Sequence, residues 1–239
     1  MVKTAVIMAA GLGSCFGQYT DKIPKGLIDF GGISMIERSV RQLIKSGIER
    51  IIIGTGYRKE KYEELAQRFQ QIECVYSPRY AETNSMYTLF NCQESIRDDD
   101  FLLLESDLVF EQKAISVLLE SSAPNIMLIT PITKFQDQYY VECDTSNKLI
   151  KCSTDKLSLR PGGELVGIHK LSNEFYKAMC RDFATKKDEY PQLGYEFEIL
   201  YLAQNGFDVY VHNEHDLYWY EIDDTEDLAY AITNVLPHL

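Results

Sequence analysis

Two glycines and a lysine stand in a polar segment that directly follows an apolar run near the start of the chain. The run Thr4–Ala9 is apolar without alternation, which predicts a strand buried on both faces. Gly11, Gly13 and Lys25 follow it. Glycines allow backbone N–H groups to approach a polyphosphate, and lysine adds a point charge. Since ligands of open α/β sheets bind beyond the carboxyl ends of the strands, the segment predicts a phosphate-binding loop, with an ordinary surface loop as the alternative.

This segment differs from both common glycine-rich nucleotide motifs. A dinucleotide-binding unit needs a helix immediately after its glycines, but residues 14–24 include glycine and proline and lack helical periodicity. Asp29 lies close to the position after the glycines where a ribose-binding acid is expected, but the helix that this motif also needs is missing. A P-loop needs Gly-Lys-Ser/Thr, which is absent from the segment. The sequence therefore predicts a long glycine-punctuated loop of another kind.

Carboxylates stand at the ends of two extended segments. Glu105 and Asp107 come at the carboxyl end of the predicted strand Phe101–Ser106. Alternation puts Glu221 and Asp223 on one side of a later extended segment. Mg²⁺ prefers one or two carboxylates together with phosphate oxygens, so the two pairs are candidate metal ligands. A turn for the first pair and a helix cap for the second stay open as structural alternatives.

Aromatic side chains lie beside carboxylates in several stretches of the sequence. These stretches are Tyr80–Tyr87, Tyr139–Glu142, Gly194-Tyr195-Glu196 and Tyr218-Trp219-Tyr220. Such neighbours suit an ammonium group through ion pairing and cation–π attraction, whereas tyrosines that pack at a sheet rim are the alternative. His169, His212 and His215 stand in no pattern with a nucleophile elbow, so the sequence gives little support to hydrolase chemistry.

The composition limits the classes of partner and compartment. The 239 residues are 45% hydrophobic and carry a formal net charge of -12, which disfavours nucleic acid polymers and anionic membranes as partners. The cysteines form no C-x-x-C pair and no zinc-like cluster, so reduced thiols and a cytoplasmic location are expected. The apolar start is interpreted as a strand rather than a signal segment, and no run approaches the ~20 apolar residues that span a bilayer.

Apolar runs alternate with segments of helical period in the first half of the chain, which predicts βαβ units around a mostly parallel sheet. The predicted strands there are Thr4–Ala9, Arg50–Gly54, Ile72–Tyr76 and Phe101–Ser106. The predicted helices are one that a capping box opens at Ser34 and that ends at Gly47, then Lys59–Gln70, Ser85–Ser95 and Glu111–Glu120.

Shorter, partly alternating segments follow, and they predict antiparallel strands added to the sheet or folded over its edge. These segments are Asn125–Thr130, Gln138–Asp144, Lys148–Lys151 and Leu165–His169. The rest is predicted as helices Ser172–Phe183 and Tyr195–Gln204, a strand Asp208–His212, and a final helix from Asp224 or Thr225. We expect one α/β domain over residues 1–239, with a Rossmann-like sheet flanked by helices and a small antiparallel addition.

Taken together, these motifs resemble the nucleotidyltransferases that join a nucleotide to a phosphorylated small molecule. Strand–AAGLGS–loop–PKGL, then ESDL, then EIDD occur in that order over nearly the whole chain. The stretches YAETNSMYTL, FLLLESDLVF and GELVGIHKL are most similar to the 2-aminoethylphosphonate cytidylyltransferases, with the phosphocholine enzymes as the alternative. The resemblance implies the nucleotidyltransferase fold, Mg²⁺ as cofactor, and transfer of CMP from CTP to a phosphonate or phosphate with release of pyrophosphate.

The resemblance also implies roles for individual residues. Catalysis falls to Lys25, Asp107 and Asp223, and Mg²⁺ to Asp107, Glu221 and Asp223. The nucleotide-binding set is Ala9, Ala10, Gly11, Leu12, Gly13, Cys15, Lys22, Tyr80, Asn84, Ser85 and Glu105. The acceptor-binding set, which combines carboxylates for an amine with aromatic faces, is Glu142, Glu164, Tyr195, Glu196 and Trp219. The expected partners are CTP and a small phosphonate or phosphate that carries an amine, and the oligomeric state is left open.

Cys15 departs from the family motif, which has arginine after G-x-G-S/T. That arginine would serve the β- and γ-phosphates of the nucleotide, and loss of such a charge-assisted contact typically costs about 1.5–3 kcal/mol. Lys22 offers a point charge without the bidentate fork of arginine. We therefore expect an active site with weakened nucleotide binding, and a non-catalytic nucleotide-binding regulator is the alternative function.

Overall fold

The predicted first strand forms and lies inside a nine-stranded sheet in the computed structural model of the chain, which describes residues 2–13, 16, 23–133 and 138–239. The strands are β1 (Thr4–Ala9), β2 (Arg50–Thr55), β3 (Ile72–Tyr76), β4 (Phe101–Glu105), β5 (Leu108–Phe110), β6 (Ile126–Thr130), β7 (Tyr140–Cys143), β8 (Leu149–Ser153), β9 (Gly163–Leu171), β10 (Tyr210–Asn213) and β11 (Trp219–Glu221). The helices are α1 (Met35–Lys45), α2 (Lys59–Ala66), α3 (Ser85–Asn91), α4 (Gln93–Ile96), α5 (Lys113–Glu120), α6 (Asn173–Lys186), α7 (Tyr195–Gln204) and α8 (Thr225–Asn234).

The main sheet has the strand order β10-β6-β9-β4-β1-β2-β3. Strand β1 pairs in parallel with β2 and β4, β2 pairs in parallel with β3, and β6 pairs in parallel with β10. Strand β9 runs antiparallel between β4 and β6, and the hairpin β7–β8 extends from it. Strands β5 and β11 form a separate antiparallel pair. The predicted α/β class, with a mostly parallel sheet and a small antiparallel addition, is confirmed.

Helices cover both faces of the sheet because the strands are apolar on both sides. Along β1, Val6 packs into the core beneath α3, α6 and α7, while its neighbour Ile7 packs into the core beneath α1, α2 and α5. A third apolar cluster joins α8 to the segment before α1. A strand buried on two faces reads as a continuous apolar run, which is why β1 was predictable from the sequence.

Local signals set the start of several helices. The Ser34 side chain accepts a hydrogen bond from Glu37 N at 3.3 Å, which is one half of the predicted capping box, whereas the Glu37 carboxylate pairs with Arg41 and Arg68. Gly47 beyond the end of α1 has φ +83°. Ser172 caps α6 as Ser34 caps α1, and Asp224 caps α8 by accepting from the backbone of Glu226 and Asp227. Because Asp224 provides this cap, Asp223 is available for another role.

The structure differs from the sequence-based prediction mainly where antiparallel strands occur. The long strand β9 lies in the interior of the sheet, whereas the sequence predicted only a short strand, Leu165–His169, among those added to the sheet or folded over its edge. The pair β5/β11 was not predicted, because its strands are only three residues long. The predicted helix Ser85–Ser95 is divided into α3 and α4 at Cys92. Within the described ranges, no helix is both long and apolar enough to cross a membrane.

Candidate active site

A cavity of about 190 Å³ opens beyond the carboxyl ends of β1 and β4, where the sequence predicted a phosphate-binding loop. We call it the main cavity, and the residues that line it are Met8, Ala9, Ala10, Gly11, Gly13, Lys25, Tyr62, Tyr80, Thr83, Asn84, Ser85, Thr88, Glu105, Ser106, Asp107 and Tyr195. Parallel β1 and β4 end side by side, so the fold brings the glycine segment and the ESD segment to one edge.

Lys25 lies between two carboxylates at the mouth of the main cavity. Its Nζ is 2.6 Å from Asp107 Oδ2 and 2.7 Å from Asp223 Oδ1. Burial lowers the pKa of the Lys25 ammonium, but the two carboxylates outweigh this effect and hold the pKa above its usual range. The lysine is therefore a fixed positive charge, and it joins three segments that are distant in the sequence.

Gly26 explains how the lysine reaches this position. A Cβ on Gly26 would lie 3.0 Å from both Cβ and the carbonyl oxygen of Ser106, so a larger residue would push the two segments apart by a few tenths of an ångström. Pro24 precedes the short 3-10 turn that carries Lys25. The Pro-Lys-Gly order thus sets the turn against the end of β4 and directs the lysine to Asp107.

Carboxylates cluster next to Lys25 in a way that suits a divalent cation. One ligand oxygen each from Glu105, Asp107 and Glu221 lies within 4.8 Å of the others. The Asp107 Oδ1 atom is buried and has no hydrogen-bond partner among the described residues. Hard oxygen ligands and an unpartnered buried carboxylate oxygen fit Mg²⁺, so the residues present are chemically suited to the predicted metal.

The protonation of these carboxylates reflects their burial and mutual repulsion. Burial, followed by the charges of Asp107 and Asp223, raises the pKa of Glu221 to about 8. Burial, followed by Glu221, raises the pKa of Glu105 well above its usual value. A bound cation would favour the ionised forms, so metal binding and proton release are coupled here.

A second, smaller space of about 50 Å³ adjoins the carboxylates. We call it the acidic pocket, and its lining is Glu105, Gln138, Tyr139, Leu165, Gly167 and Glu221. The Gln138 amide donates to Glu221 Oε2 at 3.0 Å, which fixes one carboxylate in the wall. Gly167 has φ +78°, and a Cβ there would lie 3.1 Å from Glu105 Oε2. Glycine at this bend of β9 therefore leaves room for the Glu105 carboxylate.

Helix α7 contributes two buried residues behind Glu105. The Tyr195 hydroxyl donates to Glu105 Oε1 at 2.6 Å and lies 3.4 Å from His169 Nε2. Burial raises the pKa of Glu196 to about 7. The Ser85 hydroxyl accepts from Tyr195 N at 3.0 Å, so the start of α3 is joined to the start of α7 at the cavity wall.

The structure brings most of the predicted site residues together. The main cavity contains all the predicted nucleotide-binding residues that the structure describes except Leu12, which is 47% exposed and is not in the lining. Cys15 and Lys22 lie outside the described residues. The predicted metal ligands Asp107, Glu221 and Asp223 meet around Lys25 and the acidic pocket. Their roles in binding and catalysis stay predictions.

Four predicted acceptor residues, Glu142, Glu164, Glu196 and Trp219, do not line either cavity. Glu142 accepts from Arg160 N at 2.9 Å, and buried Glu164 accepts from Thr133 N at 2.9 Å. Trp219 is buried in the core, and its indole donates to Thr130 Oγ1 at 3.0 Å. The structure thus gives Glu142, Glu164 and Trp219 other partners, because strand register rather than proximity to an aromatic residue decides which way each one points.

Residues that the sequence did not single out also line the site. Gln138 and Gly167 belong to the acidic pocket, and Thr83 and Thr88 line the main cavity. An isolated glutamine or threonine carries no sequence signal for a site. Gly167, between apolar neighbours in GELVGIHKL, was the one detectable clue, because a glycine inside a strand indicates a bulge or a close approach.

A comparison of the sequence with models of known protein families identifies the family of this chain. The family model described as a MobA-like NTP transferase domain matches residues 5–155, which is more than half of the chain. The chain belongs to this family. The match contains the glycine segment, Lys25, Asp107, β1 except its first residue, and the whole of β2–β4, so the expected resemblance to nucleotidyltransferases is confirmed.

Relatives of this MobA-like domain include named cytidylyltransferases. A 2-aminoethylphosphonate cytidylyltransferase of Lancefieldella rimae is 33% identical over 111 residues, which are 46% of this chain and 45% of that protein. A choline-phosphate cytidylyltransferase of Haemophilus influenzae is 33% identical over 108 residues, or 45% of each chain. The matches thus span less than half the length of these curated relatives.

The fold is shared over a longer range than the sequence. The solved CTP:phosphocholine cytidylyltransferase of Streptococcus pneumoniae matches with a TM-score of 0.81, over 98% of this chain and 99% of that one. The two sequences are 20% identical over this match, so the likeness establishes the nucleotidyltransferase fold.

Proposed function

We propose that this MobA-like domain is a Mg²⁺-dependent cytidylyltransferase that transfers CMP from CTP to a small amino-phosphonate and releases pyrophosphate. The observation that carries the proposal is Lys25, held at 2.6 Å from Asp107 and 2.7 Å from Asp223 at the mouth of a cavity lined by glycine backbone. This arrangement combines a phosphate cradle, a fixed cation and carboxylates for a metal. It gives positioning and charge stabilisation, which phosphoryl-type transfers chiefly require.

Each part of the site has a defined task in this reaction. Backbone N–H groups of the segment around Gly11 and Gly13 bind the nucleotide phosphates. A phosphonate oxygen attacks the α-phosphorus of CTP in line. The bond between the α-phosphorus and the oxygen that bridges it to the β-phosphorus breaks, and pyrophosphate leaves with that oxygen. The Lys25 ammonium stabilises negative charge on the phosphoryl oxygens. Asp107, Glu221 and Asp223 would hold Mg²⁺, which neutralises phosphate charge when bound. Because the acceptor oxygen is already anionic, no general base is needed.

The acidic pocket supports a primary amine on the acceptor. It offers the partly buried carboxylate of Glu105, next to the proposed metal ligand Glu221, and one aromatic ring in its lining, that of Tyr139. A primary ammonium donates three hydrogen bonds and satisfies such acceptors, whereas a trimethylammonium group donates none and prefers several aromatic faces. Trp219, which could have provided another face, is committed to the core. We therefore favour 2-aminoethylphosphonate over phosphocholine, and we retain phosphocholine as the second candidate because two of the similar proteins reported above are named for it.

A pyrophosphate-release assay with CTP tests the activity and the acceptor together. We expect turnover that requires Mg²⁺ and a kcat/KM for 2-aminoethylphosphonate more than tenfold above that for phosphocholine. Preference for phosphocholine by the same margin would overturn the choice of acceptor while leaving the reaction in place. Absence of pyrophosphate release with either acceptor, in a folded protein that binds CTP, would favour the nucleotide-binding regulator.

Asp107→Asn separates an enzyme from a binding module. We expect kcat to fall by at least about 100-fold, which is the size of the loss when one oxyanion-hole donor is removed from other enzymes. The fold should survive, since Asp107 lies beyond β4 at the cavity edge. Circular dichroism and CTP binding serve as controls, and a variant that retains full turnover would show that Asp107 has no catalytic task.

We also propose that the reaction takes place in the cytoplasm. The cysteines that the structure describes are all free, as expected in a reducing compartment. Fractionation of cells that express the tagged chain would test this location.

A further inference from the structure

The two carboxylates that clamp Lys25 are also candidate metal ligands. Lys25 Nζ is within hydrogen-bond distance of Asp107 Oδ2 and Asp223 Oδ1, and all three side chains are at least partly buried. Mg²⁺ binds oxygens at about 2.0–2.1 Å, so an ion held by Asp107 Oδ2 and Asp223 Oδ1 would take the place that the ammonium now occupies. The ammonium and the metal therefore compete for one place.

The carboxylates around the Lys25 ammonium favour a positive charge at this position, whether it is an ammonium group or a metal ion. Glu105, Asp107 and Glu221 bring ligand oxygens within 4.8 Å of one another, and the other carboxylate oxygen of Asp107, Oδ1, is buried without a partner in the described part of the chain. Like charges at this separation repel strongly unless a positive charge lies between them. In the ligand-free chain Lys25 meets that need in part, because its ammonium pairs with Asp107 of this cluster and with the neighbouring Asp223.

We propose that Lys25 is the resident cation of the metal site in the ligand-free chain, and that a divalent metal enters efficiently only with a nucleotide whose phosphates draw the ammonium away from Asp107 and Asp223. The lysine thereby imposes an order of binding: metal without nucleotide is held weakly, and the nucleotide and metal arrive together. This inference rests on the metal site of the proposed function, and it adds a task for Lys25 that precedes any chemical step.

Metal binding in the absence of nucleotide tests the competition directly. Mn²⁺ is added to the full chain, and the free ion is measured by electron paramagnetic resonance. We expect Lys25→Met to bind Mn²⁺ at least tenfold more tightly than the wild-type chain, and Lys25→Gln to show a gain in the same direction. Asp107→Asn should abolish the gain when it is combined with either variant, because it removes a shared ligand.

A matched control separates this site from a general change in charge. Lys148 forms an ion pair with Asp208 at 2.6 Å on the exposed surface, outside both cavities. Lys148→Met removes the same charge and should leave the affinity for Mn²⁺ unchanged. An equal gain in this variant would show that net charge, rather than competition at the site, controls metal binding.

A measurement on the wild-type chain keeps the proposal falsifiable if the Lys25 variants do not fold. Acetylation of Lys25, followed by mass spectrometry, should increase when Mn²⁺ saturates the protein without nucleotide, while acetylation of Lys148 stays constant. Binding of Mn²⁺ without any change at Lys25 would overturn the inference, as would folded Lys25 variants with wild-type affinity for Mn²⁺. Since neither experiment uses CTP, their failure is distinguishable from absence of CTP turnover, which would contradict the proposed function instead.

Discussion

Lys25 connects residues that lie 82 and 198 positions away along the chain. The contact depends on small local features: glycine at position 26, the end of β4 at Asp107, and a helix cap that Asp224 rather than Asp223 provides. Individual residues of this kind decide whether the cavity can hold phosphates, so their substitution gives the sharpest tests.

Cys15→Arg tests the departure from the family motif. Arginine would add a bidentate phosphate contact worth about 1.5–3 kcal/mol, so we expect kcat/KM for CTP to rise roughly tenfold or more. Steady-state kinetics at varied CTP measure the effect. Cys15→Ser, which changes the side chain without adding charge, is the control. If arginine gives no gain and the wild-type chain is already efficient, the assignment of position 15 to the β- and γ-phosphates is wrong.

Tyr195→Phe tests how Glu105 is held in place. The substitution removes the hydroxyl that donates to Glu105 Oε1 and leaves a buried carboxyl group without this donor, at a cost of about 1–3 kcal/mol in the free energy of unfolding. We expect the KM of the amine acceptor to rise more than that of CTP. Denaturant unfolding and two-substrate kinetics measure these effects. Tyr201→Phe on the same helix, where the tyrosine is 44% exposed, should change neither quantity.

The main site residues were predictable because they follow strands or occur in ordered motifs. Lys25, Asp107 and Asp223 each stand next to a recognisable signal, and parallel strands carry such residues to one sheet edge. Glu164 and Trp219, two of the residues predicted to bind the acceptor, do not line either cavity, and their role stays a prediction. A one-residue change of register reverses the direction of a side chain, and the sequence around these positions does not specify the register.

At the scale of elements, β9 has the greatest influence on the shape of the site. It passes between β4 and β6, and its pairing with β6 is irregular between Met127 and Ile129. Gly167 lies opposite this irregularity with φ +78° and places the backbone against Glu105. The sequence predicted a short strand here but not its central position, since an antiparallel strand inserted among parallel ones leaves no pattern in its own residues.

Gly167→Ala tests the contribution of this bend, with Gly206→Ala as a matched control. Both glycines have positive φ, so each alanine carries backbone strain of about 1–2 kcal/mol. A Cβ at Gly206 meets nothing within 4 Å, whereas one at Gly167 would lie 3.1 Å from Glu105 Oε2. We expect both variants to lose stability, Gly167→Ala the more because of this contact, and a large increase in the acceptor KM for Gly167→Ala alone. Equal kinetics in the two variants would show that the acidic pocket does not bind the acceptor.

Helices α6 and α7 are joined by a buried ion pair that does not touch the cavities. Lys186 Nζ lies 2.9 Å from Glu198 Oε2, and Lys186 also pairs with Asp182. Burial raises the pKa of Glu198 to about 7 even though Lys186 opposes this change. The pair therefore fixes the helix that carries Tyr195, and its strength depends on pH.

Lys186→Met should destabilise the chain more at pH 8 than at pH 6. At pH 8 the variant leaves a buried, ionised Glu198 unpaired, and the expected loss is about 3 kcal/mol. At pH 6 Glu198 can bind a proton, so the loss should be smaller. Urea unfolding at the two pH values measures the difference, and adding Glu198→Gln should remove it. A loss that is independent of pH would show that Glu198 stays neutral in both states.

For the whole molecule, acidic groups with raised pKa values in and next to the site make the free energy of unfolding depend on pH. The pKa of Glu196 is raised to about 7 by burial, and that of Glu221 to about 8 by burial and by Asp107 and Asp223. In the unfolded chain these groups lose their protons near pH 4.5. Between about pH 5 and pH 8 the folded state therefore binds more protons than the unfolded state, and stability must fall as the pH rises.

Denaturant unfolding of the metal-free chain at pH 5.5 and pH 8.0 measures this linkage. We expect the free energy of unfolding to be lower at pH 8.0 by on the order of 3 kcal/mol. Glu221→Gln should reduce the difference, whereas Glu189→Gln, at an exposed position, should not. Mg²⁺ together with CTP should recover stability at pH 8.0, since the ionised carboxylates bind the metal. A rise in stability over this range would contradict the assigned protonation states.

The contact between Lys25 and Asp223 also has a consequence for the synthesis of the protein. Strands β1–β4 are made early, and domains begin to fold from their N-terminal part while translation continues. The ion pair nevertheless has to wait for residue 223, as does β11, which pairs with β5. A nascent chain that has reached α7 thus already contains the lining of the main cavity, but its Lys25 has only Asp107 as a partner. Ribosome-bound chains of increasing length should accordingly gain cooperative resistance to proteases only after Asp223 emerges.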